Sequence, residues 1–276
     1  MSYSDFLRAH KDLVGMIHLA ALPGTPANER PPAEIIEQAL NEARLYRDAG
    51  LRTVMIENMH DVPYADKVGA EVTGLMAVIG REIKGMGLNC GIQILSANNS
   101  EALGVAHAAG LDFIRAEGFV FAHIGDEGFL NSCAADLLRY RRAIGAEEVL
   151  IFADIKKKHA SHAITSDIDL VETAKTAAFM RADGLIITAG FTGQAPNPED
   201  LRALDGLPAI RVVGSGVTPA NLEDYIDHAD VFIVGSWFKR EGHWANAPDP
   251  ERVRELVEVF EGLRQRDSGR RTGANL

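Results

Sequence analysis

The chain has 276 residues, 46% of them hydrophobic and 24% charged, which supplies a large core and excludes a disordered protein. With 28 Lys+Arg against 39 Asp+Glu, its net charge of -11 argues against binding nucleic acid or an anionic membrane through a broad basic face. The length is close to the roughly 250 residues of an α/β barrel, and by itself it is compatible with either one or two domains.

The beginning of the chain shows no export or membrane signal. Charged residues stand from Asp5 onward, before any apolar run, so the uncharged core of a signal peptide is missing. No later run approaches the roughly 18 apolar residues of a membrane span. Cys90 and Cys133 form neither a CxxC pair nor a disulfide framework. We therefore expect a cytoplasmic protein without a membrane span.

Eight short apolar runs follow one another along the chain, and each leads into a segment with helical spacing. The runs predict buried strands over 14–19, 53–58, 90–95, 113–118, 149–156, 184–190, 210–216 and 231–237. Between them, segments such as "PAEIIEQALNEARLYRDAG" and "DLVETAKTAAFMRADG" return apolar residues every three or four positions, as amphipathic crossover helices do. Strands that are apolar on both faces and alternate with helices indicate a parallel sheet.

Eight such units predict an α/β fold, a single (β/α)8 TIM barrel over residues 1–266 with a disordered tail over 267–276. The alternative is an open doubly wound sheet of the Rossmann type, which usually carries GxGxxG directly after its first strand. The first strand here leads into "AALPGTPANERPP", which lacks that pattern. The barrel is therefore favoured.

Polar residues stand at the end of each predicted strand, and in a barrel these ends surround the one mouth where the chemistry takes place. They are His18, Glu57 with Asn58, Gln93, Arg115 with Glu117, Asp154 with Lys156, Thr188, Ser215 and Ser236. Burying so many charges is costly unless a site needs them. The alternative is an ion network that only neutralises itself and fixes the strand register.

The stretch "VLIFADIKKKHASH" crowds cations at the end of the fifth strand. Because side chains two apart share one face of a strand, Asp154 and Lys156 are predicted to point into the mouth together, with Lys157 outward. Lys156 is the predicted electrophile or base, because a lysine desolvated beside other cations becomes reactive. The predicted catalytic set is Lys156, Asp154, Glu57, His18, Arg115 and Glu117.

Two glycine-serine turns predict a phosphate site. Gly214, Ser215 and Gly216 follow the seventh strand, and Gly235 and Ser236 follow the eighth. Backbone N–H groups in such turns can hold an anion, and many barrels bind phosphate with the loops after these two strands. The alternative for each turn alone is an ordinary tight turn.

Further contacts complete the predicted site. The residues predicted to bind substrate are Asn58, Gln93, Thr188, Thr192 and Gly193. No cofactor is required by any motif, and a divalent metal held by Glu57, Asp154 and a histidine is left open, because no metal spacing compels it.

Several motifs in a fixed order resemble the BtpA family. They are "GMIHLAALPGTP", "GDEGFLNSCAADLLRYRRAIGA", "FADIKKKHA", "ITAGFTGQAPNPEDL" and "VGSGVTPANL", within about 14–260. The resemblance implies a (β/α)8 barrel and, from the naming member, a link to photosystem I biogenesis in cyanobacteria. It also implies similarity to sugar-related enzymes in organisms without photosynthesis.

Two functions follow as expectations. The favoured one is an enzyme of lyase, isomerase or glycosyl-transferring type that acts on a small phosphorylated sugar or a nucleotide-like compound and forms a homo-oligomer. The other is a non-enzymatic assembly or stability factor that binds a partner through the loops over 20–32 and 119–131. Phe119, Phe121 and Phe129 would provide that partner surface. A pure scaffold has no use for a ring of charges, which favours the enzyme.

Overall fold

The structure, a computed structural model, describes residues 2–190 and 192–273. Its central feature is a set of eight parallel strands at the predicted places. They are β1 (Asp12–His18), β2 (Thr53–Glu57), β3 (Asn89–Gln93), β4 (Phe113–Ala116), β5 (Leu150–Ile155), β6 (Gly184–Ile187), β7 (Ile210–Val213) and β8 (Val231–Val234). Each strand pairs with its neighbours in sequence, and β8 pairs with β1, so the sheet closes. The predicted TIM barrel is confirmed.

One helix precedes the first strand, and the others follow the strands and cover the outside of the barrel. They are α1 (Tyr3–Ala9), α2 (Pro32–Asp48), α3 (Ala70–Gly85), α4 (Asn99–Ala109), α5 (Ala134–Ala143), α6 (Leu170–Phe179), α7 (Pro198–Arg202), α8 (Leu222–Tyr225) and α9 (Pro250–Gly273). Residues 274–276 lie outside the described residues, and the disordered tail over 267–276 stays a prediction. None of the helices described is long and apolar enough to cross a membrane.

Aromatic side chains fill the barrel interior and close its lower end. The rings of Phe113 and Phe152 stack at 4.9 Å, and Tyr3 of α1 stacks on Phe113 at 5.3 Å. Gly91 makes room for them, because a Cβ there would lie 2.2 Å from the Phe113 ring. Since α1 closes the N-terminal end, the polar strand ends open only at the opposite, C-terminal mouth.

A buried carboxyl group at this closed end predicts a pH-dependent stability. Asp12 accepts a 2.8 Å hydrogen bond from the Tyr3 hydroxyl, and burial raises the pKa of Asp12 to about 6. A pKa above the unfolded value of 3.8 means that the stabilisation by protonated Asp12 is complete below about pH 4 and is lost as pH rises through 6.

An Asp12→Asn variant keeps an acceptor for Tyr3 and never ionises. At pH 7.5 we expect the free energy of unfolding of the variant to exceed that of the parent by about 1–3 kcal/mol. At pH 4 we expect the two free energies of unfolding to be nearly equal. Urea unfolding at both pH values measures this. Equal differences at the two pH values would contradict it.

A small antiparallel sheet stands over the mouth and was not predicted from the sequence. It joins His123–Gly125, Gly128–Leu130 and Ala160–Ser161. Asp126 and Glu127, in its hairpin turn, reach the mouth cavity. The prediction of Phe119 as part of a partner surface is wrong, because its side chain is fully buried in the core outside the barrel sheet.

Candidate active site at the barrel mouth

The C-terminal ends of the strands surround a cavity of about 460 Å³. This volume is in the range of small-molecule sites. The structure brings most of the predicted residues together in its wall, namely His18, Glu57, Gln93, Arg115, Glu117, Thr192, Gly193, Gly214, Ser215, Gly216, Gly235 and Ser236.

A buried histidine and a buried glutamate face each other at the ends of β1 and β2. Nδ1 of His18 lies 3.0 Å from the carbonyl oxygen of Trp244, and because a carbonyl only accepts, Nδ1 carries the proton. Nε2 then turns its lone pair to Oε2 of Glu57 at 3.5 Å. Burial, and next the charge of Lys239, lowers the pKa of His18 to about 3, and burial raises the pKa of Glu57. Both shifts favour the neutral forms, so a protonated Glu57 can donate a hydrogen bond to Nε2 of His18 and no charge is buried.

Arg115 and Asp154 form a bidentate ion pair. The Arg115 Nε and Nη2 atoms donate to the two Asp154 carboxylate oxygens at 3.0 and 2.9 Å, and the side chains are only 6% and 1% exposed. Arg115 lines the cavity, whereas Asp154 lies behind it. The alternative of a buried ion pair therefore describes these two residues, and Asp154 holds Arg115 in place.

Glu117 is the centre of a second polar cluster, on the β3 and β4 side. Its Oε1 accepts from Nε2 of Gln93 at 3.0 Å, and its Oε2 accepts from the backbone N–H of Ala97 at 2.8 Å. The Lys157 ammonium lies 3.4 Å from the same Oε2. Burial raises the pKa of Glu117, and Lys157 opposes that shift. These contacts fix the positions of both Glu117 and Gln93.

The predicted placement of Lys156 is wrong. Its Nζ donates to the carbonyl oxygens of Thr165 and Ile168 at 3.2 and 2.5 Å, in the loop before α6. Lys156 has a φ of +54°, so the backbone turns directly after β5 and the alternation of a strand no longer applies. Lys157 and Lys158 line the mouth instead.

Lys158 is a site residue that the sequence interpretation missed. It is half-buried in the cavity wall, and within the described part of the chain its Nζ makes no hydrogen bond. Burial and the nearby Arg115 charge lower the pKa of Lys158 to about 8. The run of three lysines signals a cation here, but only the backbone decides which of the three faces the mouth.

The turns after β7 and β8 meet at one side of the cavity. Gly216 has a φ of +74°, and an added Cβ would lie 2.3 Å from backbone atoms of Gln194 and Ala195. Only glycine allows this turn to pack on the loop after β6. Over residues 2–190 and 192–273, the backbone N–H groups of Ser215, Gly216 and Ser236 donate to no protein acceptor. They are available to a ligand.

The family is decided by similarity over nearly the whole chain. Residues 9–262 match the model of the BtpA family. The chain belongs to the BtpA family. It is 42% identical to an uncharacterized mitochondrial protein of Caenorhabditis elegans, over 95% of this chain and 98% of the relative. It is 32% identical to the photosystem I biogenesis protein BtpA of Synechocystis, over 97% of this chain and 94% of the relative.

Solved structures with a similar backbone are TIM-barrel proteins. Thiamine phosphate pyrophosphorylase from Pyrococcus furiosus has a TM-score of 0.55 at 14% identity, covering 93% of this chain and 98% of that one. A 3-hexulose-6-phosphate synthase has a TM-score of 0.54 at 15% identity, covering 90% and 99%. At such identities the similarity shows the fold of this BtpA-family protein and nothing of its reaction.

Two of the predicted substrate contacts lie elsewhere in this BtpA-family barrel. The amide of Asn58 is used within the protein, because it donates to Asp61 and accepts from the backbone N–H of Leu95, both at 2.9 Å. Thr188 is not among the residues that line the cavity, and its Oγ1 is buried without a hydrogen-bond partner among the described residues. The position of a residue at a strand end cannot show that a neighbouring loop already uses its side chain, as happens for Asn58.

The possibility of a metal, left open from the sequence, gains no support from the geometry. In the described ranges, no three His, Cys, Asp or Glu side chains are grouped to hold a metal ion. Of the residues considered, Asp154 binds Arg115 with both oxygens, and His18 Nδ1 is held by Trp244.

Proposed function

We propose that this protein is an enzyme that binds a small phosphorylated compound and transfers protons on it, as an isomerase or lyase does. The observation that supports this most is the joint presence, around one cavity, of backbone donors at the β7 and β8 turns and of Lys158 and the His18–Glu57 pair. The backbone N–H donors can bind a phosphate group, and the titratable side chains can transfer protons as general acids or bases.

The geometry supports the following roles. Ser215, Gly216 and Ser236 would hold the phosphate through backbone N–H groups. Lys158, with its pKa near 8, exists in both protonation states near neutral pH and can act as a base or as an acid. Burial raises the pKa of Glu57, so its carboxyl group is protonated more readily. Glu57 would donate a proton to the substrate from the other side of the mouth.

Turnover tests this function directly. The parent protein is incubated with a panel of phosphorylated sugars and nucleotides, and products are followed by mass spectrometry and by exchange of substrate hydrogen with deuterated water. Exchange or conversion of at least one compound is expected. A protein that neither binds inorganic phosphate nor changes any member of the panel would contradict the proposed function.

The phosphate turn provides a matched pair of variants. Gly216 and Gly206 both have a positive φ, but a Cβ at Gly206 meets nothing within 4 Å. Either change to alanine carries the cost of a left-handed conformation, about 1–2 kcal/mol. Only Gly216→Ala must also displace the loop at Gln194. We expect Gly216→Ala to weaken the binding of inorganic phosphate at least tenfold by calorimetry, and Gly206→Ala to leave it unchanged.

A second candidate function is assembly of a larger complex, as the name of the Synechocystis relative states for that protein. The surface for it would be the small sheet, where Ile124 and Phe129 are 41% and 59% exposed on opposed strand positions. Changing both residues to serine should abolish assembly and spare turnover. Variants of Lys158 should do the reverse.

A further inference from the structure

Two buried polar atoms on the β3 side of the mouth have no partner in the protein. Gln93 and Ser96 are each 1% exposed, and both line the mouth cavity. Within the described residues, neither Oε1 of Gln93 nor Oγ of Ser96 has a hydrogen-bond partner. Buried polar groups are nearly always hydrogen-bonded, so two such atoms in one wall of a cavity point to a ligand.

The protein fixes what these atoms can bind. Nε2 of Gln93 donates to Glu117, which fixes the orientation of the amide and leaves Oε1 as an unpaired acceptor in the cavity wall. Ser96 is held from both sides, because the N–H of Leu95 donates to Asn58 and the N–H of Ala97 donates to Glu117. An amide oxygen only accepts, and a hydroxyl group can donate or accept. The matching ligand group is a hydrogen-bond donor.

These atoms lie across the mouth from the phosphate turns. In the closed order of the barrel, β3 is four strands from β7 in either direction, which places Gln93 opposite Ser215 and Gly216. A ligand held by its phosphate at β7 and β8 would extend over His18 and Glu57 toward Gln93.

We infer that the substrate is a phosphorylated compound with a hydroxylated carbon chain or ring, whose hydroxyl groups far from the phosphate donate to Gln93 Oε1 and bond to Ser96 Oγ. This inference rests on the proposed phosphate-binding function. It narrows the substrate class to polyol or sugar phosphates and excludes alkyl phosphates, which have no hydroxyl group to offer at that end.

The experiment compares ligands that differ only in their hydroxyl groups. Calorimetry measures the affinity of the parent protein for inorganic phosphate, for three- to six-carbon sugar phosphates, and for unsubstituted alkyl phosphates of the same chain lengths. We expect at least one sugar phosphate to bind at least tenfold more tightly than the alkyl phosphate of the same chain length. The alkyl phosphate leaves the buried acceptors unpaired, and this lowers its affinity.

Variants assign the difference to these residues. Ser96→Ala breaks no hydrogen bond within the protein. It should lower the affinity for the sugar phosphate about three- to tenfold, which is the range for one neutral hydrogen bond. The affinity for inorganic phosphate should not change. Gln93→Leu should do the same, and its melting temperature is measured because Glu117 loses a donor. Ser100→Ala, at an exposed position of α4, is the control.

The outcomes separate this inference from the function on which it rests. Alkyl phosphates that bind as tightly as every sugar phosphate, or a preference that survives in Ser96→Ala and Gln93→Leu, would overturn the hydroxyl contact and leave the phosphate site standing. Failure of inorganic phosphate and of every phosphorylated compound to bind would overturn the proposed function itself.

Discussion

Replacement of Arg115 by methionine is expected to lower the free energy of unfolding by about 3–5 kcal/mol. The bidentate contact to Asp154 neutralises a carboxylate whose side chain is only 1% exposed. Without the guanidinium that charge stays buried and unpaired, or it must take up a proton. Urea unfolding followed by circular dichroism measures the change.

Two further variants show whether the lost pair is the cause. Arg115→Met combined with Asp154→Leu removes both charges and should recover most of the loss, because an apolar pair of similar volume replaces a buried ion pair at little cost. Arg8→Met removes an arginine whose ion pair to Asp5 is 77% and 53% exposed, and no measurable change is expected. An Arg115→Met protein as stable as the parent would refute the buried-pair interpretation.

Lys158 is expected to be the most reactive lysine of the protein at neutral pH. A pKa lowered from 10.5 to about 8 raises the neutral fraction of its amine at pH 7 by a factor of about 300. Labelling with a trace of acetic anhydride, followed by peptide mass spectrometry, should modify Lys158 well before Lys175, which is exposed on α6. A phosphorylated ligand that fills the mouth should slow the labelling of Lys158 alone.

The same residue should control turnover. Lys158→Met is expected to reduce turnover at least a thousandfold, which is within the range of a lost general acid–base group. Its melting temperature should not fall, because a buried lysine with a lowered pKa opposes folding. Lys175→Met should match the parent in both measurements. Slow labelling of Lys158 together with full activity of Lys158→Met would show that another group transfers the proton.

Much of the site could be predicted from the sequence because it depends on strand periodicity. Apolar runs with polar ends predicted that His18, Glu57, Gln93 and Arg115 would meet at one mouth, and they do. In a parallel barrel every strand end lies at the same edge, so the order of residues along the chain suffices. The glycine-serine turns reach the cavity for the same reason.

The prediction was wrong where the backbone leaves the regular geometry. Alternation continued past Ile155 would put Lys156 in the mouth, but a left-handed φ at that residue turns it toward Thr165 and brings Lys158 in. Periodicity also cannot show partners that come from distant loops. Asn58 is hydrogen-bonded to the backbone of Leu95, and Lys239, which follows the eighth strand, forms a buried ion pair with Glu42 at 2.6 Å.

The sequence by itself therefore determined the barrel, its number of strands and the edge at which the polar strand ends meet, because these follow from local periodicity and from the apolar character of both strand faces. Only the tertiary structure decided which lysine faces the cavity, which charges neutralise one another and which polar atoms are left for a ligand. Those properties depend on distances between side chains that lie far apart in the chain, such as Arg115 and Asp154, and on single backbone dihedral angles such as that of Lys156.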